Sequence, residues 1–318
     1  MLYRLTVHPF AAGAMATILL LLPLWLPLLT PVQALVPLPL FLVTLRAGNR
    51  AGWWAVLVLL LGAGVVGGGG VFPLVVFLLF AAFPLLAARL LRQGWQTSHC
   101  ALIAFLLGNG VLVVILAITL VMGLDMPLLL SAEMNGMKEA VLTALGEQKM
   151  GSAALAEFRH TLEQIIAVVS LLLPAMVLTS WYLIQVANLL IARGVLLRWG
   201  EWGIAAEHLS AMRLPFPLVW AVIAMALLAV FAQGPWRFVG FNWGLFLAVP
   251  YFFQGLAILH RALQWYQVSH MLRVAVYTAL FFWTSLVLLL FLVGLFDTWI
   301  DFRLRFFDHK EGENPSGR

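Results

Sequence analysis

The chain has 318 residues, of which 64% are hydrophobic and only 10% are charged. A soluble domain carries about a quarter charged residues, so this composition excludes a soluble globular protein and predicts an integral membrane protein. The formal net charge is +5, but the basic residues stand singly or in pairs at the ends of apolar runs, which excludes a nucleic-acid-binding surface. The single cysteine, Cys100, excludes an internal disulfide and a cysteine-based metal site.

Apolar runs follow one another from the N terminus, and a run of about 20 residues is long enough to cross a bilayer. The start resembles a signal peptide, but no clear small-x-small cleavage site follows, so we expect an uncleaved first helix. The run 32–46 contains Pro37 and Pro39 and is either a short kinked span or a re-entrant segment. The predicted fold is all-α and polytopic with eight or nine transmembrane helices, at residues 11–30, 32–46, 51–68, 72–91, 100–123, 165–192, 217–233, 241–260 and 274–296, followed by a polar tail, 297–318.

Residues 124–164 form the only long polar segment between the apolar runs, with six acidic and three basic residues. Apolar residues recur in it at helical spacing on both sides of Gly151, at Met134, Met137, Val141 and Leu145 and at Leu155, Phe158 and Leu162. We therefore expect two short amphipathic helices on a membrane face, the second leading directly into the next span. The segment is either an ordinary solvated connection with helical character or a lid over a cavity.

The basic residues predict the orientation of the spans. With nine spans and a cytoplasmic N terminus, ten arginines of the N-terminal segment and the connections face the cytoplasm, and only Arg237 of the short outer connections lies outside. The polar segment 124–164, with a net charge of −3, then lies outside. If the C-terminal tail is instead cytoplasmic, one of the short runs, most simply 32–46, does not cross.

Motifs for covalent chemistry are absent from the sequence. The glycines of 67–70 lack the Lys and Ser/Thr of a phosphate-binding loop and predict a tight turn. His260 and His270 flank a basic, aromatic connection, and we interpret them as solvated histidines at the membrane interface rather than metal ligands. We predict no enzymatic activity, no catalytic residue, no metal and no cofactor.

Uncharged polar side chains at membrane depth are the candidate functional residues, because an unpaired amide in hydrocarbon is costly. Asn109 stands between two glycines of the fifth predicted span. Trp181, Gln185 and Asn188 share one face of the sixth span, and Gln254 lies in the eighth. Such residues either bind a solute or join helices through hydrogen bonds. The candidate substrate-binding or interhelical residues are Asn109, Trp181, Gln185, Asn188 and Gln254.

Short motifs follow one another in a set order along nearly the whole chain. They are Leu45-Arg46-Ala47-Gly48, Ala51-Gly52, Asn188 to Arg193, Arg213-Leu214-Pro215, Gln254-Gly255-Leu256-Ala257, Gly294-Leu295-Phe296-Asp297 and Asp301-Phe302-Arg303. This order resembles the YybS-like family of bacterial membrane proteins. That family is related to the substrate-binding S components of energy-coupling-factor importers, which implies a six-helix core in residues 1–193 and additional helices in 194–318. The relation implies that Ala12 and Ala16 match the AxxxA motif that contacts a coupling subunit, and that 124–164 helps to cover a substrate.

Two functions are compatible with these observations. The first is a solute-binding membrane transport protein of the bacterial cytoplasmic membrane, without an ATPase motif of its own and with a coupling subunit as partner. The second is a non-transporting scaffold that organises a membrane complex, a role in which it resembles the shape-determining protein MreD. The lack of charged residues deep in a predicted span favours the second hypothesis. In both cases we expect the helices to contact membrane lipid. The sequence does not identify a solute.

Overall fold

The computed structural model describes residues 8–147, 152–199, 214, 216–302 and 305, and every regular element in these ranges is a helix. Six helical segments of this part of the chain are long and apolar enough to cross a membrane, and two of them, Pro27–Ala47 and Phe72–Arg92, join adjoining helices. A seventh span is present if the bent helix pair His270–Leu280 and Ser285–Ile300 counts as one. The predicted all-α, polytopic membrane fold is confirmed. The helices are α1 Pro9–Trp25, a 3₁₀ helix Pro27–Leu35, α2 Pro37–Ala47, α3 Asn49–Val66, α4 Phe72–Val76, a π-helix Phe77–Ala81, α5 Ala82–Arg92, α6 Thr97–Val121, α7 Met126–Glu147, α8 Ser152–Arg198, α9 Pro217–Phe231, α10 Gly234–Trp265, α11 His270–Phe282 and α12 Thr284–Ile300.

The first apolar run divides earlier than the sequence predicts. Helix α1 ends at Trp25, and Leu26 leaves helical geometry with φ −133° and ψ 84°, because the proline that follows it disfavours the α conformation. The 3₁₀ helix and α2 then form one apolar stretch of 21 residues, Pro27–Ala47. The predicted span 11–30 is therefore wrong in its C-terminal part. Pro37 lies in the first turn of α2 and begins that helix rather than breaking it.

The helices fall into two compact units along the chain, and α6 and α8 contribute residues to both. One unit comprises Met1–Gly108 with Ser180–Glu207, and the other Asn109–Thr179 with His208–Arg318. The predicted boundary after Arg193 stays a prediction. In the first unit, α1 packs on α3 so closely that a Cβ on Gly13 would collide with the carbonyl oxygen of Ala55.

The polar segment forms a helical hairpin in the second unit. Helix α7 is joined to α8, a helix of 47 residues that is unbroken from the polar segment through the predicted sixth span. The hairpin is antiparallel, because Lys138 of α7 pairs with Glu163 of α8 at 3.3 Å, and Met134, one turn earlier, accepts a hydrogen bond from Ser170 at 3.7 Å. Two helices and the continuous passage into the span are thus confirmed; Gly151 lies outside the described residues.

The face of α7 that packs within the unit is not the side that carries Met137 and Val141. Leu142 is 5% exposed, and Met134 and Lys138 are half-buried on the same side, whereas Met137 is 72% exposed. The contact of the apolar stripe with a membrane face stays a prediction. The aliphatic part of the lysine can cover apolar surface while its ammonium group remains paired, so spacing of apolar residues alone does not identify this face.

Helices α10 and α12 are the most closely packed pair of the second unit. A Cβ on Gly255 would collide with the carbonyl oxygen of Leu290, and one on Gly294 with that of Tyr251, so the two glycines let the backbones touch. Helix α12 continues to Ile300, where the predicted span ended at residue 296. Asp297 therefore belongs to the last turn of a helix and is 7% exposed, and its assignment to a polar tail is wrong.

Candidate functional site

A cleft of about 470 Å³ opens in the second unit, where the end of α6, the start of α7, the middle of α8 and the start of α10 meet. Its volume lies within the range of about 300–1,000 Å³ that is typical of small-molecule sites. Among its lining residues, two carry opposite charges and the others are small or apolar. The lining residues are Thr119, Gly123, Leu124, Asp125, Pro127, Leu171, Gly234, Pro235, Arg237 and Phe238.

The acidic group of the cleft is held by the turn between α6 and α7. Gly123 adopts φ +60°, and the backbone N–H of Leu124 returns to the carbonyl of Thr119 at 3.0 Å, which is the glycine-terminated end common to α-helices. Asp125 follows at once, and its Oδ1 accepts the N–H of Leu128 at 3.0 Å. A carboxylate at this place caps the first turn of α7 and fixes its own position at the cleft.

The basic group of the cleft stands on the first turn of α10. Gly234 has φ +58° and Pro235 follows it, so the chain turns sharply before the helix begins. The Arg237 guanidinium carbon lies 5.5 Å from the ring centre of Phe241, one turn further along the same helix. This cation–π contact restricts the guanidinium to the cleft end of α10. The cleft therefore offers a fixed carboxylate and a fixed guanidinium to one bound molecule.

The wall of the cleft is tied together by Asn242, a side chain with 0% exposure. Its Oδ1 accepts the N–H of Ala175 at 3.0 Å, and its Nδ2 donates to the carbonyls of Leu171 at 2.7 Å and Phe238 at 2.9 Å. Ala175 directly follows Pro174 of α8, and in a regular helix its N–H would pair with the carbonyl of Leu171. The amide thus holds α8 beside its proline, where the helix is weakest.

The predicted stripe on α8 makes interhelical hydrogen bonds inside the first unit. Trp181 Nε1 and Gln185 Nε2 both donate to the carbonyl oxygen of Leu79, at 2.9 Å and 2.6 Å. Leu79 lies in the π-helix, where the i+5 donor position is occupied by Pro84, which has no N–H. Asn188 Nδ2 donates to the carbonyl of Ala34 at 2.6 Å. The donors of this stripe are therefore used in joining helices.

The remaining predicted residues also contact their own chain. Asn109 Oδ1 accepts the indole N–H of Trp243 at 3.0 Å, and Gln254 Nε2 donates to Asp297 Oδ2 at 2.8 Å. Ala12 and Ala16 are 2% and 0% exposed in the core of the first unit. Their contact with a coupling subunit stays a prediction, and it would require this face of α1 to open. None of the predicted residues lines the cleft.

Sequence reasoning missed the groups that form the cleft and its wall. The sequence places Asp125 in the polar segment and Arg237 in a short outer connection. Each also stands with one residue between it and a preceding Gly or Gly-Pro turn, at the N-terminal end of the following helix. Asn242 was overlooked within an aromatic run, although Pro174 in another predicted span creates a need for a buried amide. Neither relation is visible within a single span.

The chain was compared with families of related sequences. A family model described as a predicted membrane protein, DUF2232, matches residues 14–298. The chain belongs to this family. No curated protein and no solved structure matches it. The DUF2232 match fits the resemblance to YybS-like membrane proteins, and it establishes a multi-pass membrane protein with lipid-facing helices.

The DUF2232 region contains the whole cleft, with Asp125, Arg237 and the amide of Asn242, as well as the buried Asp297. The family assignment covers 285 of the 318 residues, counted from 14 to 298. Both compact units therefore contribute residues to the family region, and the candidate site draws on both halves of that region.

Proposed function

We propose that the protein is a solute-binding membrane transport protein, and that the cleft of the second unit holds the solute. The observation that carries this proposal is that Asp125 and Arg237 both line a cleft of about 470 Å³. A molecule with a cationic and an anionic group, such as a small zwitterion, would satisfy both charges at once. Charge-assisted hydrogen bonds of this kind are roughly twice as strong as neutral ones.

The predicted environment of the protein agrees with this role. The arginine distribution supports a cytoplasmic N terminus in a bacterial cytoplasmic membrane, with the cleft on the outer side. The hairpin of α7 and α8 begins at Asp125, so a movement of α7 would open or cover the cleft. The S-component resemblance supports a separate coupling subunit as the source of energy. This role requires no enzymatic chemistry.

Thermal-shift screening of the purified protein tests the proposal. A library of zwitterionic, anionic and cationic solutes is added in detergent or nanodiscs, and stabilisation by zwitterions is expected because binding to the folded state raises the unfolding temperature. Arg237→Gln and Asp125→Asn should each abolish the shift, and Asn retains the helix cap. Arg198→Gln and Glu133→Gln, exposed charges that do not line the cleft, are the matched controls. A protein that no solute stabilises, or a shift that survives both cleft variants, contradicts the proposal.

A second candidate is a scaffold that organises a membrane complex without transport. The use of Trp181, Gln185 and Asn188 as interhelical donors supports it, because that stripe fixes a fold instead of binding a solute. Affinity purification in a mild detergent distinguishes the two functions. A stable partner that co-purifies with a protein inert to all solutes favours the scaffold, whereas solute binding, with or without a co-purifying partner, favours transport.

A further inference from the structure

Three exposed arginines meet around the turn between α2 and α3 in the first unit. Arg50 lies in the first turn of α3, and Arg89 and Arg92 lie in the last turn of α5. A Cβ on Gly48, the residue of the turn, would lie 2.7 Å from a guanidinium nitrogen of Arg92, so this side chain packs against the turn. We call the exposed Arg50, Arg89 and Arg92 the basic patch.

The packing of α3 on α5 brings the three side chains to one end of the unit. A Cβ on Gly52 of α3 would lie 2.9 Å from the side chain of Leu85 of α5. Arg50 precedes Gly52 by two residues, and Arg89 follows Leu85 by about one helical turn. Arg89 and Arg92 are three residues apart and are therefore neighbours on the surface of α5. Three positive charges are thus collected where these two helices meet the α2–α3 turn.

No side-chain carboxylate balances this charge within the described part of the first unit. The first 124 residues of the chain contain no Asp or Glu, and residues 180–199 contain none either. The helix dipole favours Arg89 and Arg92, which stand at the C terminus of a helix, but it disfavours Arg50 at the N terminus of α3. Helix-end electrostatics therefore do not account for all three charges, and an anion from outside the chain would neutralise them.

Exposed tryptophans place the basic patch at the level of the lipid headgroups. Trp53 and Trp54 follow Arg50 within about one turn of α3, and Trp95 follows Arg92 by three residues. All three tryptophans are 45% exposed or more. Tryptophan is enriched where a bilayer meets water, so the guanidinium groups at these helix ends lie beside lipid phosphates. In the predicted orientation this is the cytoplasmic side, whose leaflet carries anionic lipid.

We propose that the basic patch binds the phosphate of an anionic phospholipid headgroup, such as that of phosphatidylglycerol. A guanidinium is planar and presents a fork of N–H donors that matches phosphate oxygens. Because the donors come from two helices, one headgroup would link α3 to α5 at this end of the unit. A zwitterionic lipid carries a positive group beside its phosphate, and the arginines would repel that group. An anionic headgroup therefore fits the patch better.

This surface stands apart from the proposed solute site. The basic patch belongs to the first unit and shares no residue with the cleft. The inference does not rest on the transport function, since a transporter and a scaffold are both compatible with a bound lipid. A protein that binds no solute but is stabilised by anionic lipid would contradict the proposed function and support this inference. Solute binding without any response to anionic lipid would do the reverse.

Lipid-dependent stability of the purified full-length protein tests the inference. Three compounds are titrated separately into the protein in a non-ionic detergent: dioctanoyl phosphatidylglycerol, dioctanoyl phosphatidylcholine with the same acyl chains, and glycerol phosphate without acyl chains. The unfolding temperature is measured by intrinsic fluorescence, for which the chain provides 13 tryptophans. We expect phosphatidylglycerol to raise it by at least about 2 °C at ten times the dissociation constant. The other two compounds should have little effect.

Substitution of each arginine measures its share of the binding. Arg50→Gln, Arg89→Gln and Arg92→Gln should each raise the half-maximal concentration of phosphatidylglycerol about fivefold. Arg159→Gln is the charge-matched control, because this exposed arginine pairs with Glu139 in the hairpin of α7 and α8. It should keep the half-maximal concentration of the unchanged protein. Each variant is compared with its own unfolding temperature without lipid, so a change in basal stability does not enter the result.

Four results would overturn the proposal. Equal shifts with phosphatidylglycerol and phosphatidylcholine would show that only the acyl chains are bound. An equal response to glycerol phosphate would assign the patch to a soluble phosphate compound instead of a lipid. A half-maximal concentration that is unchanged in all three variants, or raised as much in Arg159→Gln, would remove the patch as the binding surface. If a variant fails to fold, the unchanged protein still decides, because a phosphatidylglycerol shift that is independent of salt would not be electrostatic.

Discussion

Replacing Asn242 by leucine tests whether one amide stabilises the proline-containing part of α8. Leucine has the same branching and number of side-chain heavy atoms as asparagine but no polar atom, so the N–H of Ala175 and the carbonyl of Leu171 both lose their partner on α10. The carbonyl of Phe238 remains within the hydrogen-bonded ladder of its own helix and does not count as a loss. The perturbation therefore removes two interhelical hydrogen bonds at a site with 0% exposure.

The expected loss follows from measured hydrogen bonds between membrane helices. Each is worth about 0.6 kcal/mol on average and about 1.7 kcal/mol at most. Two such bonds give a range of about 1–3 kcal/mol. For Asn242→Leu we expect a loss in the upper half of this range. Pro174 already deprives this part of α8 of a backbone hydrogen bond, so no neighbouring group can take over the hydrogen bonds of the Asn242 amide.

Reversible unfolding by sodium dodecyl sulfate in mixed micelles measures this free energy. Trp243→Phe is the control from the adjacent position of α10, because it removes only the hydrogen bond from the indole to Asn109. We expect a loss of about 0.6 kcal/mol for that variant and about four times as much for Asn242→Leu. Equal losses in the two variants, or a loss below about 0.5 kcal/mol for Asn242→Leu, would refute the reasoning.

Three other substitutions address the remaining contacts. Gly294→Ala should destabilise the protein by about 1–3 kcal/mol in the same unfolding assay, because the new methyl group forces α10 and α12 apart. Its control is Gly110→Ala, which should be neutral or stabilising because no atom lies within 4 Å of the added Cβ. Similar losses of stability in the two variants would contradict the packing argument. Lys138→Met should lower the free energy of unfolding by less than about 1 kcal/mol, because it removes a partly exposed ion pair. If this loss of stability is as large in high salt as in low salt, the contribution of Lys138 is not electrostatic. Trp181→Phe should lower the free energy of unfolding by about 0.6 kcal/mol, because Gln185 still donates to the carbonyl of Leu79. The double variant Trp181→Phe, Gln185→Leu should lose more. Equal losses in the single and the double variant would contradict the view that both side chains stabilise this carbonyl.

The sequence predicts the helical elements of this chain well because hydropathy within a bilayer is a strong constraint. The all-α fold, the hairpin in the polar segment and its direct passage into a long span all follow from the spacing and length of apolar runs. The boundary at Trp25 does not, because a hydropathy pattern does not register where Leu26 loses helical geometry before a proline. The helix end at Ile300 was missed for the opposite reason, since a charged residue, Asp297, was taken as the end of the span.

Side-chain roles are less accessible to sequence analysis because they depend on pairs of distant helices. Met137 and Val141 have helical spacing, but that spacing does not show which side of α7 meets α8. The side that does carries Lys138, which is paired with Glu163 from α8. Asp125 and Arg237 are separated by more than one hundred residues, and only the fold brings them to one cleft. Periodicity identifies a face of a helix but not what lies opposite.

Prolines inside helices explain why the predicted amide stripe does not form the candidate site. Pro84 leaves the carbonyl of Leu79 without its helical donor, and the side chain of Gln185 supplies one. Pro174 interrupts α8, and Asn242 bridges the interruption. In a bilayer no water can take these places, so an amide opposite a proline is committed to the fold. The proposed solute site therefore rests on the charged groups of the cleft, Asp125 and Arg237, and not on the amide donors of this stripe.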